Sequence, residues 1–273
     1  MSLINERAIQ FLSHPDFIEF EQQNYQGIIH KNLVPIFEEL DLDYFNKNKE
    51  YITVLRRKRN TFYKISASID LGKSKIQIVI KQTAPENFLK KIRTFFQRCK
   101  AEKSFKAAFH LLKNELDTPL PLGYLFKRKY GFIQKSFYIT ERVTDFIKLR
   151  KYLRNNLADS SKIREMMICV ADYVRKMHQC GFAHMDLNLA NFLFIDKSKG
   201  TRLTLIDLNR SIIKKKITPL LRIRDISRLY WKQYRDDFFN LYCTGDKTLQ
   251  RLRWFYNLYY RWRILRKRIK KIF

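Results

Sequence analysis

Between residues 51 and 83 apolar positions tend to alternate with polar ones, the spacing of strands that bury one face. "YITVLRRKRN", "TFYKISASID" and "KIQIVIKQT" are β-branched and aromatic runs separated by polar turns such as "DLGKSK". They predict three consecutive antiparallel strands. After Pro85 the apolar interval lengthens to three and four in "NFLKKIRTFFQRCKAEKSFKAAFHLLKNEL", the repeat of an amphipathic helix. "TPLPLG" ends that helix, and "YLFKRKYGFIQKSFYITERV" predicts two more strands joined around Gly131. Five antiparallel strands with one helix inserted after the third make a small α+β lobe over residues 47–143.

From about Asp145 the pattern turns mostly helical. "FIKLRKYLRNNL" and "SSKIREMMICVADYVRKMHQCG" are helical stretches, the second stopped by Gly181. "NFLFID" and "RLTLIDL" predict two short strands bracketing "KSKG", and the chain from about Arg222 to Phe273 reads as helices. Residues 144–273 are therefore expected to form a compact, mostly helical lobe. Residues 1–46 are mixed and stand apart as an N-terminal extension, with one short amphipathic helix in "LVPIFEELDLDYF".

Composition narrows the class. Of 273 residues, 45% are hydrophobic and 15% aromatic, so the chain is globular although 30% of it is charged. A formal charge of +29 exceeds what solubility needs and calls for an anionic partner. Nucleic acid, a phosphorylated substrate and an acidic membrane face all qualify; a lysine-rich genome offers a blander origin. Cys99, Cys169, Cys180 and Cys243 form no CxxC pair, which fits a reducing compartment and no zinc site. "MSLINERAIQFLSHPDF" contains Glu6 and Asp16 and lacks the apolar run of a secretory signal. No segment approaches the ~20 apolar residues of a membrane span. The expected location is cytoplasmic, free or peripheral on a membrane.

The stretch "HMDLNLAN" sets a carboxylate and two amides into otherwise apolar sequence, just after a helix end and before two strands. Asp186 and Asn191 fall on a loop, and Asp207 closes the second strand. Such a set can hold a divalent ion between Asn191 and Asp207 while Asp186 orients a hydroxyl and accepts its proton. Singly, each residue is equally a turn former, a cap or a solvated side chain; the order of the set is what carries information.

That order resembles the protein-kinase-like bilobal fold, and more narrowly the lipopolysaccharide kinase (Kdo/WaaP) family, from about Tyr51 to at least Leu229. "HMDLNLAN" looks like the family's catalytic loop, "TLIDLNRS" its metal-binding segment and "IVIKQT" its third-strand lysine motif. "RCKAEKSFKAAFHLLKNELDTPLPLG" resembles the helix bearing the partner glutamate and the turn after it.

The resemblance implies ATP and Mg2+ as cofactors. It implies that Asp186 deprotonates the acceptor hydroxyl, that Asn191 and Asp207 bind magnesium, and that Lys81 meets the α- and β-phosphates. Glu102 would pair with Lys81, or else simply face water among Lys100, Lys103 and Lys106. Asn188 stands where many protein kinases carry a lysine and would hydrogen-bond the transferring phosphoryl group or the acceptor. "FYITERV" would form the hinge, with Glu141 to Val143 meeting the adenine through the backbone.

Three departures point away from a regulated protein kinase. The first hairpin, "VLRRKRNTFYKI", has no glycine to let amides approach phosphates. Cations including Arg57 and Arg59 either take that role or form an exposed basic turn. Met185 replaces the arginine that pairs with a phosphorylated loop, and "DLN" replaces Asp-Phe-Gly. Asp225, in "RIRDISRLYW", either braces the catalytic loop from beneath or pairs with Arg222 or Arg224 on the surface.

The implied acceptor is a sugar hydroxyl, Kdo or heptose, of the inner lipopolysaccharide core: a lipid-anchored anionic saccharide. The final stretch, "RLRWFYNLYYRWRILRKRIKKIF", interleaves cations with Trp254, Phe255, Tyr259, Tyr260 and Trp262, and no acidic residue follows Asp246. It suits an anionic membrane surface, with packing into the lobe or RNA binding as other readings and nucleic acid the weakest of them. A kinase for a protein or small metabolite and a non-catalytic kinase-like scaffold at the membrane are the competing functions.

Overall fold

The computed structural model describes residues 16–44, 52–57, 60–70, 75–85, 99–156, 159–197 and 200–272. The chain forms two compact units, Met1–Lys113 with Pro119–Thr144, and Asn114–Thr118 with Asp145–Phe273. The architecture is α+β, built around a large antiparallel sheet in the first unit.

That sheet has seven strands: β1 (Phe17–Gln22), β2 (Tyr25–His30), β3 (Ile52–Arg57), β4 (Thr61–Asp70), β5 (Lys75–Thr83), β6 (Pro121–Lys129) and β7 (Phe132–Glu141). Their order is β1-β2-β6-β7-β5-β4-β3. The five expected strands are all present, and the count of five is corrected by a hairpin from the N-terminal extension. The hairpin turns on Gln23 and Asn24, both left-handed at φ 52° and 63°. Two such residues match the twist of paired strands, but without glycine the turn carries little sequence signal.

β2 then lies along β6, with Gly27 opposite Leu125 and Ile29 opposite Gly123. A Cβ on Gly27 would collide with the carbonyl oxygen of Tyr124, so the close approach of these strands depends on that glycine.

Both faces of the sheet are covered. One carries Tyr25, Ile29, Tyr63, Ile78, Ile80, Phe137 and Ile139, with Leu33, Phe37 and Leu40 from the short helix Val34–Glu39 and its flanks packed on them. The other carries Tyr124, Ile133, Phe126 and Tyr138 beneath the helix Lys100–Lys113, whose Ala101 and Phe105 face inward. Ile133 and Phe137 have the same parity yet serve opposite faces. The pairing passes from Lys127↔Lys135 to Arg128↔Ile133, leaving Gln134 as a bulge that inverts the alternation. The earlier part of the expected helix, residues 86–98, lies outside the described residues.

The second unit is organised on the helix Ser160–Gln179. Ile163, Met166, Met167, Val170, Val174 and Met177 recur along its buried face. Asp159 caps its start by accepting the Lys162 amide at 3.0 Å. Gly181, at φ 80°, ends it as expected, in a place where a Cβ would meet the Lys214 carbonyl. A three-stranded sheet follows the order β11 (Gly200–Leu205), β10 (Phe192–Lys197), β8 (Ile147–Lys148), and β9 (Phe182–Ala183) pairs with β12 (Ile212–Ile213). Helices at Pro219–Ile226, Arg235–Cys243, Lys247–Arg251 and Arg253–Ile272 complete it. The connecting segment is held here by Asp117, whose carboxylate takes two hydrogen bonds from Arg202, at 2.5 and 2.9 Å, and one from the Thr204 hydroxyl.

Candidate active site

The loop that carries Asp186 hangs from a buried carboxylate. Asp225, on the helix Pro219–Ile226, accepts the amide of His184 at 2.8 Å and that of Met185 at 2.9 Å. It also meets His178 Nε2 at 3.3 Å. Of the two roles open to Asp225 in the sequence, bracing the loop is the one found; Arg222 turns instead to Tyr242 and Asp246.

His178, at the end of the long helix, accepts the Tyr242 hydroxyl at Nδ1 (2.6 Å), and Tyr242 accepts Arg222 Nε (2.8 Å). Each donor in this chain points toward the Asp225 carboxylate, a direction that keeps negative charge there. Burial pushes the Asp225 carboxyl up, but the hydrogen bonds it accepts from His178 and from the His184 amide oppose burial, and the group lies below the usual carboxylate range. Burial pushes the His178 imidazole below its ordinary value, against the pull of Asp225.

Met185 is left-handed at φ 61°, a conformation a long side chain adopts at a cost. Its own amide and that of His184, both donating to Asp225, hold it. His184, fully buried, ties the loop to the next element: its Nε2 donates to the Ile206 carbonyl at 3.0 Å, and its Nδ1 accepts the Asp186 amide at 3.3 Å. These two contacts define one imidazole tautomer.

The Asp186 carbonyl accepts hydrogen bonds from Asn188 Nδ2 (3.1 Å) and Asn191 Nδ2 (3.0 Å). Asn188 closes the loop by accepting the Ala190 amide at 2.9 Å. The hairpin register Phe192↔Leu205 then puts Asn191 opposite Ile206, joined by a 2.9 Å backbone bond, with Asp207 one step further. Asn191 and Asp207 therefore flank the open end of the β10–β11 hairpin. Asp207 is exposed and left-handed at φ 66°, and its carboxylate accepts Asn209 Nδ2 at 3.1 Å.

The Asp186 carboxylate faces two arginines absent from the sequence reading: Arg210 Nη1 at 3.1 Å and Arg228 Nη1 at 3.6 Å. Arg263, on the last helix, hydrogen-bonds the Arg228 carbonyl. These contacts join positions 24 to 42 residues apart in the chain (210 minus 186, 228 minus 186), and no local spacing could reveal them.

In the first unit, Lys81 lies on β5 between Phe62 and Tyr138, its Nζ 5.8 Å from the Phe62 ring centroid. Glu102 pairs with Lys106 at 2.5 Å, one helical turn away. Glu141 accepts the Leu120 amide at 3.1 Å, and Arg142 bonds the Gln77 carbonyl through its amide (2.7 Å), which leads the chain at Val143 off the sheet. Arg57 ends β3, and Arg59 lies outside the described residues.

Asn191 and Asp207 bring side-chain oxygens to neighbouring positions at the hairpin end, and the Asn191 amide nitrogen is already engaged by the Asp186 carbonyl. A hard cation such as Mg2+ needs only one or two protein carboxylates when phosphates supply other ligands, so the pair fits. No cluster of three or more His, Cys, Asp or Glu able to hold a metal by itself occurs among the described residues. Nor is any described helix long and apolar enough to cross a membrane.

Residues 49–243 match the profile of the lipopolysaccharide kinase (Kdo/WaaP) family. The chain is 31% identical over 138 residues to the lipopolysaccharide core heptose(I) kinase WaaP of Escherichia coli K12, covering 48% of this chain and 52% of that protein. It is 25% identical over 146 residues to a 3-deoxy-D-manno-octulosonic acid kinase of Haemophilus influenzae, covering 52% and 58%. Its match thus spans little more than half the length of these curated relatives. The solved structure described as "WaaP in complex with acyl carrier protein" shares the fold, with TM-score 0.55 and 17% identity over 78% of this chain and 90% of that one. With the family profile spanning most of its length, the chain belongs to the lipopolysaccharide kinase (Kdo/WaaP) family.

Proposed function

We propose that the protein is an ATP-dependent kinase that transfers the γ-phosphate to a sugar hydroxyl, Kdo or heptose, of the inner lipopolysaccharide core. The observation that carries the reading is the Asp186 loop, anchored by Asp225 and bonded through Asn191 and His184 to the hairpin end where Asp207 stands. Membership of a kinase family and kinase names on both relatives support the reaction class. Residues 47–143 and 144–273 would be the N-lobe and C-lobe of a protein-kinase-like fold, with the hairpin of the extension added to the first.

In this reading Asp186 accepts the proton of the attacking hydroxyl, and Arg210 and Arg228 orient its carboxylate. Asn191 and Asp207 would hold Mg2+, which when bound draws charge from the phosphates. Lys81 supplies a cation to the α- and β-phosphates, and Asn188 steadies the transferred group. Arg57 and Arg59 extend the cationic lining in place of a glycine-rich loop, and the backbone from Glu141 to Val143 receives the adenine. Glu102 braces Lys81 by exchanging its partner Lys106; a helical i,i+4 pair is worth only about 0.3–0.5 kcal/mol, so the exchange is cheap. The acceptor is lipid-anchored and anionic, and the protein works at the anionic inner face of the inner membrane. A protein partner of the acyl carrier kind seen with WaaP belongs to the same proposal.

The test is transfer of label from γ-labelled ATP with Mg2+ to dephosphorylated core lipid, with Asp186→Ala as control. Label in the lipid that disappears in the control is the expected result. Label only in protein would move the acceptor to a polypeptide, and nucleotide binding with no transfer would make the chain a scaffold.

A further inference from the structure

The last helix, Arg253–Ile272, has one face packed and the opposite face bare. At about 100° per residue, Tyr256, Tyr260 and Arg263 share one side. Tyr256 is fully buried, Tyr260 stacks on Tyr230 with centroids 6.0 Å apart, and Arg263 bonds the Arg228 carbonyl. Trp254, Leu258, Trp262, Leu265 and Ile269 fall within an arc of about 80° on the other side. All five are exposed, Trp254 by 64% and Trp262 by 57%. This makes a continuous apolar stripe about 22 Å long on a helix at 1.5 Å per residue.

Cations border the stripe. Arg261 runs along one edge and Arg266 along the other, its guanidinium 5.2 Å from the Trp262 ring centroid. No carboxylate side chain follows Asp246 in the sequence. A single ridge of Trp, Leu and Ile flanked by cations and aromatic rings, with no carboxylate on its own helix, is complementary to one kind of surface, an anionic lipid interface, where indole rings sit at headgroup level and guanidiniums meet phosphate. A protein partner would have to build roughly 800 Å² of contact on one convex ridge and balance the cations with its own carboxylates.

We propose that the helix Arg253–Ile272 is an interfacial docking element that lies in the plane of an anionic bilayer, with the Trp254–Leu258–Trp262–Leu265–Ile269 stripe in the headgroup–acyl boundary. The docking deepens the kinase reading and rests on it only for its purpose. Its packed face carries Arg263, which holds the turn of Arg228, and Arg228 contacts Asp186. One helix therefore links the lipid surface, through Arg228, to the Asp186 carboxylate.

The experiment is sedimentation of the full chain with vesicles of phosphatidylethanolamine plus phosphatidylglycerol, and with neutral phosphatidylcholine vesicles, alongside Trp emission. Wild type should bind the anionic vesicles, blue-shift its emission and release with salt. Trp262→Ser with Leu265→Ser should weaken partitioning by roughly 100-fold, while Tyr130→Ser, an exposed aromatic in the first unit, should leave it unchanged. The double variant should lose transfer to vesicle-embedded acceptor and retain transfer to deacylated soluble acceptor. Wild type that fails to bind anionic vesicles, or a double variant that binds as well as wild type, overturns the docking. So does self-association by sedimentation velocity that the double variant abolishes, because a second copy would then cover the stripe. Absence of transfer to either acceptor by wild type that still docks would instead strike the kinase reading.

Discussion

Asp225 holds Met185 by a 2.9 Å hydrogen bond to its amide while Met185 sits in the left-handed region at φ 61°. The carboxylate is fully buried and receives a second amide from His184. Removing it orphans the buried His184 N–H and the part-buried Met185 N–H and frees a strained backbone. Asp225→Ala is expected to cost about 3 kcal/mol or more of stability. Urea unfolding measures this; a midpoint equal to wild type would remove Asp225 from its role as anchor.

The same network makes the protein acid-sensitive well above the carboxylate range. Burial holds His178 below its ordinary value of 6.5, and burial likewise lowers His30. As pH falls through about 6.5 the unfolded chain takes up these protons before the folded one does, so stability declines from there downward, by at most about 1.4 kcal/mol per pH unit for each histidine. Asp225, also lowered, adds a further loss as pH falls through its own depressed value. Unfolding at about pH 7.5 and about pH 5.5 reads the slope. His178→Gln should flatten it, and a slope unaltered by that change would be evidence against a neutral buried His178.

The edge hairpin depends on Gly27. A side chain there meets the Tyr124 carbonyl across β2 and β6. Gly27→Val is expected to destabilise the first unit by about 1–3 kcal/mol. Hydrogen exchange should show the loss concentrated in β1, β2 and β6, and protection retained in β2 would contradict the close packing.

Catalysis by Asp186 makes a separate prediction. Asp186→Asn keeps the shape of the side chain and cannot accept a proton, so the transfer rate should fall roughly 100- to 10,000-fold with ATP affinity little changed. Asp207→Asn should instead raise the Mg2+ concentration needed for half-maximal transfer. An Asp186→Asn variant with near wild-type rate would require another base.

Much of this was legible locally. Alternation in β5 and the three-four repeat of Ser160–Gln179 state which face of each element is apolar, and burial follows that face. Gly181 ends its helix because only glycine fits the φ and the Lys214 carbonyl beside it. The β1–β2 hairpin leaves little trace in the sequence because Gln23 and Asn24 make a left-handed turn without a glycine.

The chain by itself determined the elements, the chemistry of "HMDLNLAN" and the cationic, aromatic character of the last helix, because periodicity and residue type act over a few positions. Only the tertiary structure decided that Arg210 and Arg228 converge on Asp186, that Asp225 is buried beneath the loop, and which side of the last helix stays bare. Those outcomes depend on contacts between segments tens of residues apart, and no short-range spacing encodes them.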